Sequence, residues 1–133
     1  ESIQGPDDAR RAYRLDAAWI INIKPGRVGG LLPSKAIHDF WLGVGRPVWI
    51  GGMLETGVGR GHLVALATLP GVKYPNDISA SDRYYEEDLV EPPWTLREDG
   101  TIAVPNKPGI GVEILVDRVE KYSRRTREYS LAG

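Results

Sequence analysis

The sequence predicts an α/β fold assembled from parallel βα units. Three observations carry that prediction. Two short runs, Trp19 to Lys24 (WIINIK) and Pro47 to Gly52 (PVWIGG), are aromatic or β-branched and bounded by Pro or Gly. Each run is followed by a segment with helical apolar spacing, so strand and helix alternate. Neither run alternates cleanly between apolar and polar residues, as expected of strands covered on both faces of a parallel sheet.

The elements follow in order. Gly5 to Ala18 (GPDDARRAYRLDAA) predicts a helix. Pro6 suits its first position, Asp7 and Asp8 favour the positive end of the helix dipole, and Ala9, Ala12, Tyr13 and Ala17 give the apolar spacing. In the strand that follows, side chains alternate. Trp19, Ile21 and Ile23 form the set expected to pack on helices, while Ile20, Asn22 and Lys24 face a site. Leu31 to Gly45 predicts a second helix, with Ala36, Ile37, Phe40, Trp41 and Val44 as one stripe and Gly45 placed to end it. After the strand Pro47 to Gly52, Met53 to Arg60 (MLETGVGR) reads as a glycine-rich loop. Gly59 to Pro70 reads as a shorter helix stopped by the proline. From about Val72 the rhythm changes to polar, turn-rich sequence. Thr95 to Arg97, a turn at Asp99-Gly100, and Ile102 to Val104 read as a small hairpin. Glu113 to Ser130 reads as a last helix or helical tail with a charged, solvated surface.

The bulk properties exclude several classes of function. The chain has 133 residues and a formal net charge of -1, which gives no electrostatic case for nucleic acid or an anionic membrane. It has no cysteine, so disulfides and thiolate metal sites are out. No apolar run approaches the ~20 residues of a membrane span. The amino terminus, ESIQGPDDARR, lacks the apolar core of a signal peptide, so a cytoplasmic location is expected. The chain opens on Glu1 and reads like the middle of a longer polypeptide.

Lys24 is the leading candidate for chemistry. It closes a βα strand, the end that carries functional groups in parallel βα folds. A lysine there acts as a general base if burial or a nearby cation lowers its pKa; otherwise it ends the strand and snorkels to water. The second strand runs into GGMLETGVG, where glycines let backbone approach a ligand and Met53 and Leu54 offer an apolar pocket wall. The same loop also reads as a plain tight connection, and it lacks the spacing of a phosphate-binding loop. Glu55 is placed either to orient the lysine or bind a cation, or as a loop carboxylate. His38 reads as a surface histidine, and His62, near the loop, as most often structural. Ser79, Ser81 and Asp82 read as capping or turn groups. Tyr84 and Tyr85 read as core or pocket wall.

Taken together, DAAWIINIKPGRVGG, PVWIGGMLETGVGRGHLVALATLPG, NDISASDRYYEEDLVEPP and PGIGVE resemble the carboxyl-terminal part of the enolase superfamily. Within it they are similar to the muconate-lactonising-enzyme subgroup, in its o-succinylbenzoate synthase/N-acylamino acid racemase branch. The resemblance implies the carboxyl-terminal portion of a modified TIM (β/α) barrel over residues 1–112, about its last three βα units. Residues 113–133 would then return toward an α+β capping domain. It implies Mg²⁺-dependent removal of a proton next to a carboxylate: dehydration in menaquinone biosynthesis, racemisation of N-acylamino acids, or both. Dipeptide epimerase or cycloisomerase chemistry, and a non-catalytic half-barrel that pairs through its open edge, are the alternatives.

By position, Lys24 matches the sixth-strand lysine, which would face the α-carbon of a small carboxylate substrate. Gly52, Met53 and Leu54 match the seventh-strand lining of the substrate pocket, and Tyr84 an aromatic position nearby. The three metal carboxylates of the family are not in this chain; the nearest, an Asp, would directly precede Glu1. A complete barrel takes about 250 residues, so a missing amino-terminal half of the barrel and a missing cap are expected as partners. The isolated chain is expected to lack catalysis, and barrels of this kind commonly form homo-oligomers.

Overall fold

A computed structural model describes residues 1–129. Ser130, the last residue of the expected helical tail, and the residues after it lie outside the described residues.

Helix α1 spans Pro6–Arg14, with Pro6 in its first turn, Asp7 and Asp8 at its amino end and Arg11 and Arg14 at its carboxyl end. Strand β1 (Ile21–Ile23) pairs in parallel with β2 (Val48–Ile50), in the register Ile21 to Val48, Asn22 to Trp49 and Ile23 to Ile50. Between them lie a single helical turn, α2 (Pro25–Val28), and the longer α3 (Leu31–Gly43). Helix α4 (Gly57–Ala67) follows β2. The parallel βα order is thus the observed one. Helix α3 ends as the sequence indicates, with Gly45 at φ 75° and its N–H on the Leu42 carbonyl.

The core forms where the strands meet the helices. Ile21, Ile23, Val48 and Ile50 pack with Ala9, Val28, Ile37, Trp41, Leu63 and Leu66. The opposite strand face carries the half-buried Asn22, Lys24 and Trp49. Tyr13 of α1 meets Phe40 and Trp41 of α3 edge-on, at 5.7 and 6.3 Å between ring centres.

The structure corrects several expectations. The strand begins at Ile21, so Trp19 stays 62 % exposed instead of packing on helices. Its ring covers the Arg46 guanidinium at 5.0 Å, and Arg46 also bonds the Ala18 carbonyl. His38 is a buried histidine, not a surface one. Its Nε2 accepts the Gly71 N–H at 2.9 Å, and Nδ1 meets Asp39 at the surface. Pro25-Gly26 not only stops the strand but opens the α2 turn.

The parallel sheet also continues past Val72. Val72 and Asp77 bridge in parallel to Val48 and Gly51, forming a third line of the sheet. Pro75 interrupts it, and Asn76 Oδ1 replaces a backbone partner by accepting the Ile50 N–H at 2.8 Å. The Asp99-Gly100 turn is present, with one antiparallel bridge from Leu96 to Ile102. The helical tail is shorter than expected: β4 (Glu113–Ile114) pairs antiparallel with β3 (Val90–Glu91), and among the described residues of this segment only Val116–Tyr122 (α5) is helical.

Candidate active site at the carboxyl end of the strands

The site is built where β1 and β2 stop. Lys24 has extended backbone and stands just before α2, whose Arg27 and Val28 N–H groups bond its carbonyl. Its side chain crosses to the end of the second strand, where Nζ donates to the Gly52 carbonyl at 2.8 Å. That path needs a residue without a side chain beneath it. A Cβ on Gly51 would overlap the Asn22 amide and Lys24 Cε. Gly52 is similarly confined: its N–H donates to the Asp77 carbonyl at 2.6 Å, and a Cβ there would strike that same oxygen.

A cavity of about 350 Å³ opens over the amine, lined by Lys24, Gly52, Met53, Leu54, Asp77, Ser79 and Tyr84. The structure therefore brings together Lys24, Gly52, Met53, Leu54 and Tyr84, the residues that the resemblance assigns to the site. Met53, Leu54 and Tyr84 are 54 %, 69 % and 46 % exposed, an apolar wall open to solvent. Lys24 and Met53 also border a second space of about 340 Å³, shared with Glu1, Gln4 and Arg27. Arg27 is committed elsewhere: Nε bonds the Ile3 carbonyl at 2.9 Å and Nη2 the Asn22 carbonyl at 2.5 Å. The buried Asn22 Nδ2 has no partner among the described residues.

Glu55 acts as a loop carboxylate. It accepts the Met53 N–H at 2.7 Å and fixes the turn rather than the lysine. His62 lines a separate groove with Glu55, Gly59 and Leu63, which shares no residue with the Lys24 cavity.

Sequence reading missed what holds the far wall. Asp88 and Arg60 are both about 1 % exposed at the side chain and lie 3.4 Å apart. Asp88 Oδ1 accepts the N–H groups of Gly57 (2.6 Å) and Leu89 (2.7 Å), so it satisfies the amino end of α4 from 31 residues away. Its Oδ2 accepts from the Ser81 hydroxyl and from Arg60. Ser81 Oγ in turn accepts the Trp94 N–H, and Trp94 Nε1 donates to the Gly57 carbonyl at 2.8 Å. Arg60 Nη2 reaches Ser79, and the Tyr85 hydroxyl donates to the Leu54 carbonyl at 2.6 Å. The Ser79 wall of the cavity is therefore tied to α4 through Arg60, and the Leu54 wall to Tyr85. A signal for Asp77 and Ser79 existed in their position after the third parallel line, but Pro75 disguises that strand.

Among the described residues, no group of three or more His, Asp or Glu side chains converges to hold a metal ion. The residues present do not fit Mg²⁺ by themselves. No described helix is long and apolar enough to cross a membrane.

Parallel strands covered by helices, with a lysine and a mixed apolar and polar cavity at their carboxyl ends, place the chain in the α/β class that carries its site at that end of the sheet. The family described as enolase C-terminal domain-like matches residues 1–118. The chain is 51 % identical to the o-succinylbenzoate synthase of Bacillus subtilis over all 133 residues, covering 36 % of that protein. It is 50 % identical to the N-succinylamino acid racemase of Amycolatopsis over 112 residues, covering 84 % of this chain and 30 % of that one. A crystal structure of an enolase-superfamily member from Listeria innocua superposes with a TM-score of 0.87 at 38 % identity, over 94 % of this chain and 33 % of that one. The chain belongs to the enolase superfamily, as a carboxyl-terminal portion of its barrel. It spans about a third of the length of the curated relatives it matches.

Proposed function

We propose that this chain supplies the lysine-bearing side of an active site that removes a proton next to a carboxylate, as an o-succinylbenzoate synthase, an N-acylamino acid racemase, or both. One observation carries the reading: Lys24, held on the Gly52 carbonyl, shares a cavity with Gly52, Met53, Leu54 and Tyr84. In racemisation the neutral Lys24 amine takes the α-proton from one face while a second acid, a lysine outside this chain, gives a proton to the opposite face; for the other enantiomer the two groups exchange roles. In dehydration the charged amine lies beside the carbanion and stabilises it by charge. Met53, Leu54 and Tyr84 exclude water from the rest of the substrate, a small carboxylate.

Mg²⁺ is proposed for the complete enzyme only, bound by carboxylates outside this chain. The complete enzyme joins residues 1–112, as barrel, to an amino-terminal portion of barrel and cap, with 113–133 returning toward the cap. A cytoplasmic homo-oligomer is the assembly in keeping with this reading.

The test is α-proton exchange into N-succinylamino acids in D₂O, followed by NMR, with the complete polypeptide. Lys24→Ala is expected to lower exchange by about 10²-fold or more, the range of a general acid or base. Exchange held within about twofold of wild type would sink the assignment.

A further inference from the structure

The apolar segment that walls the Lys24 cavity has few holds of its own. The main chain is pinned at Gly52, whose N–H and carbonyl are both bonded, and again at Thr56, whose carbonyl accepts the Arg60 N–H. Met53, Leu54 and Glu55 lie between. The Met53 N–H is satisfied inside the segment, on Glu55. Met53 and Leu54 are each more than half exposed, so core packing does not fix them. Among the described residues, one hydrogen bond reaches these three from elsewhere in the chain: the Tyr85 hydroxyl donates to the Leu54 carbonyl at 2.6 Å.

Tyr85 does not itself line the cavity. It follows a single 3-10 turn, Ser81–Arg83, and its N–H bonds the Ser81 carbonyl at 3.3 Å. That turn is firmly seated: Ser81 is buried, its N–H donates to the Trp94 carbonyl, and its hydroxyl bonds both Asp88 and the Trp94 N–H. The Tyr85 ring also meets the Tyr84 ring edge-on, at 6.5 Å between centres. One anchored side chain thus touches both apolar parts of the wall, Leu54 by its hydroxyl and Tyr84 by its ring. We propose that Tyr85 is a positioning residue, whose hydroxyl latches Met53 and Leu54 beside Tyr84 and so sets the apolar wall for a substrate in the Lys24 cavity. This rests on the α-proton reading above. The latch acts on binding. Lys24 has its own hold on the Gly52 carbonyl, so a loosened wall leaves the amine in place. A wall that is in position only part of the time weakens binding by that fraction.

The experiment measures α-proton exchange of N-succinyl-L-phenylalanine by the complete enzyme. Tyr85→Phe keeps the ring and removes the hydroxyl. Leu54 is exposed, so water can replace the hydroxyl on its carbonyl, and the variant is expected to fold as wild type does. Its KM is expected to rise about three- to tenfold, the range of one net hydrogen bond, with kcat held within about twofold. In a Met53→Ala, Leu54→Ala background the latch has no wall left to place, and adding Tyr85→Phe is expected to change KM by less than about twofold. An unchanged KM in Tyr85→Phe, a fall in kcat as large as the fall in kcat/KM, or the same rise in KM in the alanine background would overturn the inference while leaving the role of Lys24 standing. Absence of exchange in the wild-type enzyme would overturn the α-proton reading, and this inference with it.

Discussion

Asp88→Asn is the most informative single change to the scaffold, because the geometry says which partner suffers. The aspartate accepts two backbone N–H groups on Oδ1 and two side-chain donors on Oδ2. An asparagine keeps Oδ1 as an acceptor, so Gly57 and Leu89 stay satisfied. Its NH₂ then faces Ser81 and Arg60. Ser81 can rotate and accept, since a hydroxyl works both ways. Arg60 cannot, and it is buried with its counter-charge removed. Removing one partner of a buried ion pair costs about 3–5 kcal/mol. The exposed Lys35–Asp39 pair, at 57 % and 51 % side-chain exposure, gives the contrast: such pairs are worth ~0–1 kcal/mol. Urea unfolding of the complete protein, followed by tryptophan fluorescence, is expected to lose about 3–5 kcal/mol in Asp88→Asn and under ~1 in Asp39→Asn. The Arg60→Met, Asp88→Asn double variant is expected to lose less than the sum of the two single changes, by at least ~1 kcal/mol. A loss under ~1 kcal/mol in Asp88→Asn, or strict additivity in the double variant, would refute the claim that the pair acts as a buried unit.

Two further outcomes test the site and the carboxyl-terminal segment. Gly51→Ala puts a methyl group against the Asn22 amide and Lys24 Cε, and overpacking of this kind costs about 1–3 kcal/mol. Displacing the amine is expected to cut α-proton exchange by about tenfold or more, and unchanged kinetics would contradict the packing described. Glu87 is held below the ordinary glutamate value, first by the hydrogen bond from Lys121 and then by that from Tyr122. Its contribution to docking α5 is therefore complete above the ordinary value and is lost as pH falls through the lowered one. In a carboxyl-carbon NMR titration, the Glu87 midpoint is expected to rise in Lys121→Ala; an unmoved midpoint would remove Lys121 as the cause.

Much of the molecule was decided locally. Pro6 with its acidic neighbours, the stripe from Ala36 to Val44, and the two β-branched runs are short-range patterns, and α1, α3, β1 and β2 stand where those patterns put them. The candidate lysine was legible for the same reason. A strand's end is marked by Pro25-Gly26, and parallel βα units direct that end toward a site. Other features depend on partners 20 to 40 residues away, and composition carries no trace of them. His38 reads as surface until the Gly71 N–H arrives to be accepted. Asp88 and Arg60 look like ordinary charges until the chain folds them into a dry place where each must find its complement. The two-residue strands β3 and β4 are too short to show a period of their own. The sequence by itself determined the alternation of strand and helix and the lysine at a strand's end. The tertiary structure alone decided which polar groups are buried, because a buried charge or donor is settled by its partners and not by its place in the chain.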